Sequence, residues 1–304
     1  MNEPIYPLAH LQGAFPPAPE WFEHALLCSP QSVQLTVEGA AIELLAWGNP
    51  GQPGILLAHG GMAHARWWSH IAPHFARTHR VAALSWSGMG GSGWRDTYSV
   101  DTYVAEAMAA AQAADLFASG PPVFVAHSFG GAAMALAAHR HGARLAGTVF
   151  IDSGVSPPHP SAYRHRATPG TRAYPTLEAA LARFRLAPEQ SVENLFIANR
   201  IARDALHETP DGWRWRFDPG FFTRMDPWDS WSAIADPACP LAFIHGELSR
   251  IVPPELRARQ QSQTPARTPF IEIPASHHHV MIDQPLALVA TLRSLIAVWH
   301  STQG

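Results

Sequence analysis

The sequence predicts an α/β chain with a mostly parallel central sheet covered by helices on both faces, and three observations predict it. Short continuous apolar runs at 54–58, 81–84, 122–125, 147–151 and 240–244 recur along the chain, as strands buried on both faces do. Helix-compatible stretches lie between them, and strands alternating with helices are the pattern of a parallel sheet. One of these strands turns at once into an Ala-rich helix through Ala126-His127-Ser128-Phe129-Gly130-Gly131, with a Ser at the corner.

The elements follow in order. Six prolines between Pro4 and Pro30 make residues 1–30 an irregular arm, with one short helix near 20–27. Residues 32–37 and 41–47, split by Glu38-Gly39-Ala40, read as a β-hairpin. The strand at 54–58 ends in His59-Gly60-Gly61-Met62. Trp67, Ile71 and Phe75 have helical spacing and predict a helix over 66–77. The strand at 81–84 leads into the glycine loop Ser87-Gly88-Met89-Gly90-Gly91-Ser92-Gly93, and a long helix is expected over 101–117. The strand at 122–125 and the helix over 132–138 flank Ser128, and the strand at 147–151 is closed by Asp152.

Beyond residue 155 the pattern changes. Pro157, Pro158, Pro160, Pro169 and Pro175 open a loop, and helices are expected near 177–184 and 192–206. An aromatic-dense tail follows, with Trp213, Trp215, Phe217, Phe221, Phe222, Trp228 and Trp231. The segment 156–236 therefore reads as a helical cap inserted between two parts of one core, 1–155 and 237–304. The core resumes with strands at 240–244 and 270–273 and a last helix over 285–300.

Composition narrows the function classes. Hydrophobic residues make up 47% of the 304, enough for a sizeable core. The net charge of −3 offers no basic patch for nucleic acid. Cys28 and Cys239 are far apart and form no metal or redox spacing, which suits unpaired thiols in a reducing compartment. No Arg or Lys precedes Arg66, so a secretory n-region is lacking, and no apolar run approaches the roughly 20 residues of a membrane span. A cytoplasmic protein, monomeric or homodimeric, is expected.

The corner Ser carries the chemistry. A nucleophile elbow strains the Ser backbone, so the residues two before and two after must be small. Gly130 meets that need, and Ala126 departs from the usual Gly by one methyl group. With this elbow, His59-Gly60-Gly61 resembles the oxyanion loop of the α/β-hydrolase superfamily. Ser87-Gly88-Met89-Gly90-Gly91-Ser92 is similar to its small-residue turn, and Ala275-Ser276-His277-His278-His279-Val280-Met281 to its histidine loop. The four motifs stand in the family's order across nearly the whole chain.

The resemblance implies a serine hydrolase with an acyl-enzyme on Ser128, needing neither cofactor nor metal. A Ser hydroxyl needs a base within hydrogen-bond reach, and alignment of the histidine loop favours His278 over His277 or His279. A carboxylate must orient that base. The family's commonest pattern puts an Asp where this chain has Ser249, in Gly246-Glu247-Leu248-Ser249. Two replacements are open: Asp152, at a strand end as in some branches of the superfamily, and Glu247, in the usual loop. Asp152 is favoured because a strand end fixes a short side chain better than a loop fixes a long one.

The oxyanion donors implied are the backbone N–H groups of Phe129 and Gly61, with Met62 as the substitute for the second. Met62, His127, Phe222, Trp228 and Trp231 are expected to line an apolar pocket. The substrate expected is a hydrophobic small-molecule ester. Lactone opening, carbon–carbon bond hydrolysis by the same residues, and cofactor-independent oxygenation by the His–Asp pair remain as alternatives.

Overall fold

The apolar runs become the middle of a sheet. The computed structural model describes residues 5–154 and 172–301, so most of the proline-opened loop expected after residue 155 lies outside the described residues. The elements in order are α1 (Glu20–Leu27), β1 (Gln31–Val37), β2 (Ala40–Trp47), β3 (Gly54–Ala58), β4 (Arg80–Leu84), α2 (Val100–Ala113), β5 (Val123–His127), α3 (Gly130–His141) and β6 (Gly147–Ile151). Next come α4 (Leu177–Leu181), α5 (Leu195–Asp204), β7 (Leu206–Thr209), β8 (Gly212–Trp215), α6 (Phe221–Arg224) and α7 (Trp231–Ala235). The chain closes with β9 (Leu241–Gly246), α8 (Pro254–Gln263), β10 (Phe270–Ile273), α9 (Val280–Asp283) and α10 (Pro285–Ser301).

The described residues form an eight-stranded sheet in the order β1-β2-β4-β3-β5-β6-β9-β10. The β1–β2 and β2–β4 pairs are antiparallel, and every later pair is parallel. Both faces are buried. Ile55, Leu57, Val81, Val123, Val125, Val149 and Ile244 enter one hydrophobic cluster, while their neighbours Leu56, Ala82, Phe124, Phe150 and Phe243 enter the other. That alternation is the period-2 geometry of a strand with a core on each side.

The strand order places the site. β3 has β4 on one side and β5 on the other, so the chain reverses its direction of winding there. Ligands bind beyond the carboxyl ends of the strands at such a point. Ala58 pairs with Ala126, which brings the loop after β3 beside the loop after β5.

Three expectations change. The helix expected over 66–77 is two short 3₁₀ turns, Ala65–Trp68 and Ala72–His74. Pro73 has no N–H to continue an α-helix and clashes with the preceding turn. Trp67, Ile71 and Phe75 are buried all the same. The helix α2 starts at Val100, with Ser99 accepting the Thr102 N–H, and stops short of residue 117, where Asp115 takes a left-handed φ of 57°. The segment expected as a helical cap is not only helical among its described residues: β7 and β8 form an antiparallel hairpin turned at Pro210-Asp211.

Candidate active site

Ser128 follows the last residue of β5, two residues before α3 begins. Its φ of 51° is left-handed, a conformation that L side chains adopt at a cost. The neighbours must be small because the loop after β3 passes close by. A Cβ at Gly130 would stand 2.6 Å from the His59 carbonyl oxygen, and one at Gly60 would stand 2.9 Å from His127 Nδ1. Ala126 is fully buried between strands.

His278 Nε2 lies 2.9 Å from Ser128 Oγ, and His278 Nδ1 lies 2.6 Å from Asp152 Oδ2. A carboxylate oxygen accepts, so the ring proton sits on Nδ1 and the Nε2 lone pair faces the Ser128 hydroxyl. His278 and Asp152 are buried, at 3% and 1% exposure, and Ser128 is half-buried. Asp152 takes a left-handed φ of 44° just past β6. Its Oδ1 accepts the Gly246 N–H at 3.1 Å, and its Oδ2 also accepts the Ser249 hydroxyl at 2.6 Å.

Glu247 stands elsewhere. Its side chain is exposed, and Oε2 accepts the Ala275 N–H at 2.8 Å. It therefore holds the start of the histidine loop, where Ala275 has a φ of 51°, and it meets that amide while Asp152 meets His278. The three adjacent imidazoles face different partners. His277 donates its backbone N–H to Asp283 Oδ2 at 2.7 Å, and its Nδ1 lies 3.3 Å from the same oxygen. His279 Nδ1 donates to Gln190 Oε1 at 2.7 Å, and Gln190 Nε2 donates in turn to both Asp283 oxygens, at 2.9 and 3.0 Å.

The Phe129 amide sits at the start of α3, where the helix dipole favours negative charge. Gly61 lies alongside: a Cβ built there would be 3.7 Å from Phe129 Cβ. Met62 follows with a φ of 60°. Among the described residues the N–H groups of Phe129, Gly61 and Met62 donate to no protein acceptor, and such amides beside a nucleophile can receive an anion.

Residues 55–292 match the alpha/beta hydrolase family. The chain belongs to that family. A 111-residue stretch of this alpha/beta hydrolase is 37% identical to lipase LipV of Mycobacterium tuberculosis (strain ATCC 25618 / H37Rv), and it covers 36% of this chain and 41% of that lipase. The match thus spans less than half the length of the lipase. Among solved structures, the thioesterase domain from the curacin biosynthetic pathway superposes with a TM-score of 0.73 at 20% identity, over 86% of this chain and 98% of that one. E-2-(acetamidomethylene)succinate hydrolase gives 0.74 at 17% identity, over 88% and 99%. An M. tuberculosis esterase gives 0.66 at 19% identity, over 95% and 96%. At these identities the likeness is one of fold.

In this hydrolase aromatic side chains gather about Phe129, the residue after Ser128. The Phe129 ring meets Tyr103, Phe221 and Trp228 edge-on, at centroid distances of 5.6, 5.3 and 5.6 Å. Phe222 packs on Phe221 at 4.8 Å and approaches Gly61, whose built Cβ would lie 3.3 Å from Phe222 Cζ. Trp231 joins the same apolar cluster and carries the Arg259 guanidinium 3.9 Å over its ring.

His127 departs from its expected place in the pocket wall. It is 2% exposed, and its Nε2–H donates to the His278 carbonyl at 3.0 Å. Val123, Val125 and His127 share one face of β5, and Val123 and Val125 point into the core. His127 is carried into the interior with them. Burial, and next the neighbouring His278, push its pKa well below the usual histidine range, so it is neutral. Burial does the same to His279, again followed by His278. His59 is lowered to about 3 by burial, and its Nε2 accepts the Trp86 N–H at 3.1 Å.

Two contributors went unread in the sequence. Ser249 was visible only as the residue standing where an Asp was expected. Gln190, which hydrogen-bonds His279 of the histidine loop, left no local signal.

Proposed function

We propose that the protein is a serine hydrolase of carboxylic esters, and that it works through an acyl-enzyme on Ser128. The observation that carries this reading is the unbroken hydrogen-bonded path from Ser128 Oγ through His278 to Asp152. In that path Ser128 Oγ attacks the ester carbonyl carbon and its proton passes to His278 Nε2. Asp152 keeps the ring oriented and stabilises the imidazolium without taking the proton. The N–H groups of Phe129 and Gly61, or Met62 in place of Gly61, hold the oxyanion of the tetrahedral intermediate. Collapse breaks the carbon–oxygen bond of the ester, and His278 returns the proton to the leaving alcohol. Water then adds to the acyl group by the same route and releases the acid.

The aromatic wall supports a hydrophobic small-molecule ester, with Phe222, Trp228, Trp231 and Met62 as pocket residues. The lipase and esterase names among the similar proteins support the same class. A lactone presents the same carbonyl within one molecule, and a β-diketone offers a carbon leaving group, so a substrate panel separates these variants. Residues 156–236 are proposed as the cap that roofs the pocket.

The test is covalent labelling. With a fluorophosphonate probe Ser128 gains the phosphonyl mass, short p-nitrophenyl esters are turned over, and Ser128→Ala abolishes both. A folded protein that neither labels nor turns over these esters ends the proposal. Oxygen uptake that survives Ser128→Ala would move the chemistry to the His–Asp pair alone.

A further inference from the structure

Ser249 has its hydroxyl aimed by its own turn. Its Oγ accepts the N–H groups of Ile251 and Val252, each at 3.1 Å, and lies 2.6 Å from Asp152 Oδ2. A hydroxyl has two acceptor lone pairs and one proton. With two amides on the oxygen, the proton is left for the carboxylate.

We propose that Ser249 is a positioning residue of the triad, a fixed donor to the same Asp152 oxygen that accepts His278 Nδ1–H; its kinetic consequence rests on the esterase reading above. Asp152 leaves β6 in a left-handed conformation, and its carboxylate plane is set by what reaches it. Gly246 N–H holds Oδ1, while Ser249 and His278 share Oδ2. Without the hydroxyl, Oδ2 concentrates its charge on the imidazole alone and the carboxylate gains freedom to turn about its bond to Cβ. The residue at position 249 thus serves the acid without being it.

Three variants and one spectrum test this. Ser249→Ala is expected to lower kcat about tenfold with KM changed less than about twofold, the size of one hydrogen bond to a charged group. Ser249→Thr keeps the hydroxyl and restores most of the rate. In an Asp152→Asn background, Ser249→Ala should cost less than about twofold, since the partner through which it acts is gone. A residue that served only its own turn would cost the same in both backgrounds, and that result, or no loss in the first, overturns the proposal. The proton NMR signal of His278 Nδ1–H should also move downfield in Ser249→Ala, and an unmoved signal overturns it as well. That signal needs no substrate: if the wild type neither labels nor hydrolyses esters, the esterase reading falls while the spectrum still decides the role of Ser249.

Discussion

The ends of β6 and β9 lie side by side in the sheet, and each is followed by a carboxylate. Asp152, after β6, is buried and receives donors from Gly246, Ser249 and His278. Glu247, after β9, is exposed and receives one backbone N–H. The longer side chain sits in the loop where the family usually keeps its acid, yet the shorter one meets the imidazole. Reach therefore does not decide which carboxylate meets the imidazole. What selects it is a position where the backbone and several donors leave the carboxylate one orientation, in surroundings dry enough for that orientation to matter.

The largest effect should come from removing the charge at the β6 end. Asp152→Asn is expected to lower kcat about 10³- to 10⁴-fold, as loss of the orienting carboxylate does in serine hydrolases generally. Steady-state kinetics on a p-nitrophenyl ester would show it, and full activity in this variant would invert the comparison.

Acid attacks the buried side next. His59, His127 and His279 are held neutral by burial, with folded-state pKa values below the unfolded value of about 6.5. As pH falls, the unfolded chain takes up these protons first. The stability they permit is complete above about pH 6.5 and is lost progressively below it, for His59 down to about 3. Each contributes a slope of about 1.4 kcal/mol per pH unit. Urea unfolding from pH 7.5 to 5 should therefore show uptake of several protons. A flat stability over that range would mean these imidazoles are not buried neutral.

A smaller effect sharpens the comparison by moving the acid. In Asp152→Asn with Ser249→Asp, a carboxylate returns to the β9 end, beside the oxygen site that now meets His278. It can still accept from Ile251 and Val252 N–H. Recovery of about 10- to 100-fold of the lost kcat is expected, and no recovery would show that the two strand ends are not interchangeable. The smallest effect belongs to Glu247→Gln. Its Oε1 can still accept the Ala275 N–H, so kcat should stay within about twofold and stability within about 1 kcal/mol, read by kinetics and by denaturation.

Much of this was legible before the fold was known, because the motifs impose steric demands that few residues meet. Gly130 and Gly60 can be nothing larger where β3 and β5 run together, and a Ser between them reads as a corner. Other features needed three dimensions. The choice between Asp152 and Glu247 depends on strand adjacency, and β6 neighbours β9 across 89 residues of intervening chain. The role of Ser249 depends on the same adjacency. Some signals were present and went unused. Pro73 forbade the helix over 66–77, and Pro210-Asp211-Gly212 is the composition of a tight turn and marked the β7–β8 hairpin.

Met62, Ser128, Asp152 and Ala275 hold left-handed backbones in the loops that leave β3, β5, β6 and β10. An L side chain in that conformation costs about 1–2 kcal/mol. For the first three, the atoms beside the proposed reacting centre stand on that strained backbone, whereas Ala275 contributes only a methyl group. Laboratory evolution for heat resistance, run with no assay for turnover, would favour glycine at all four corners and erode the chemistry at the first three. The same selection with an assay in place would leave position 275 as the one corner free to relax.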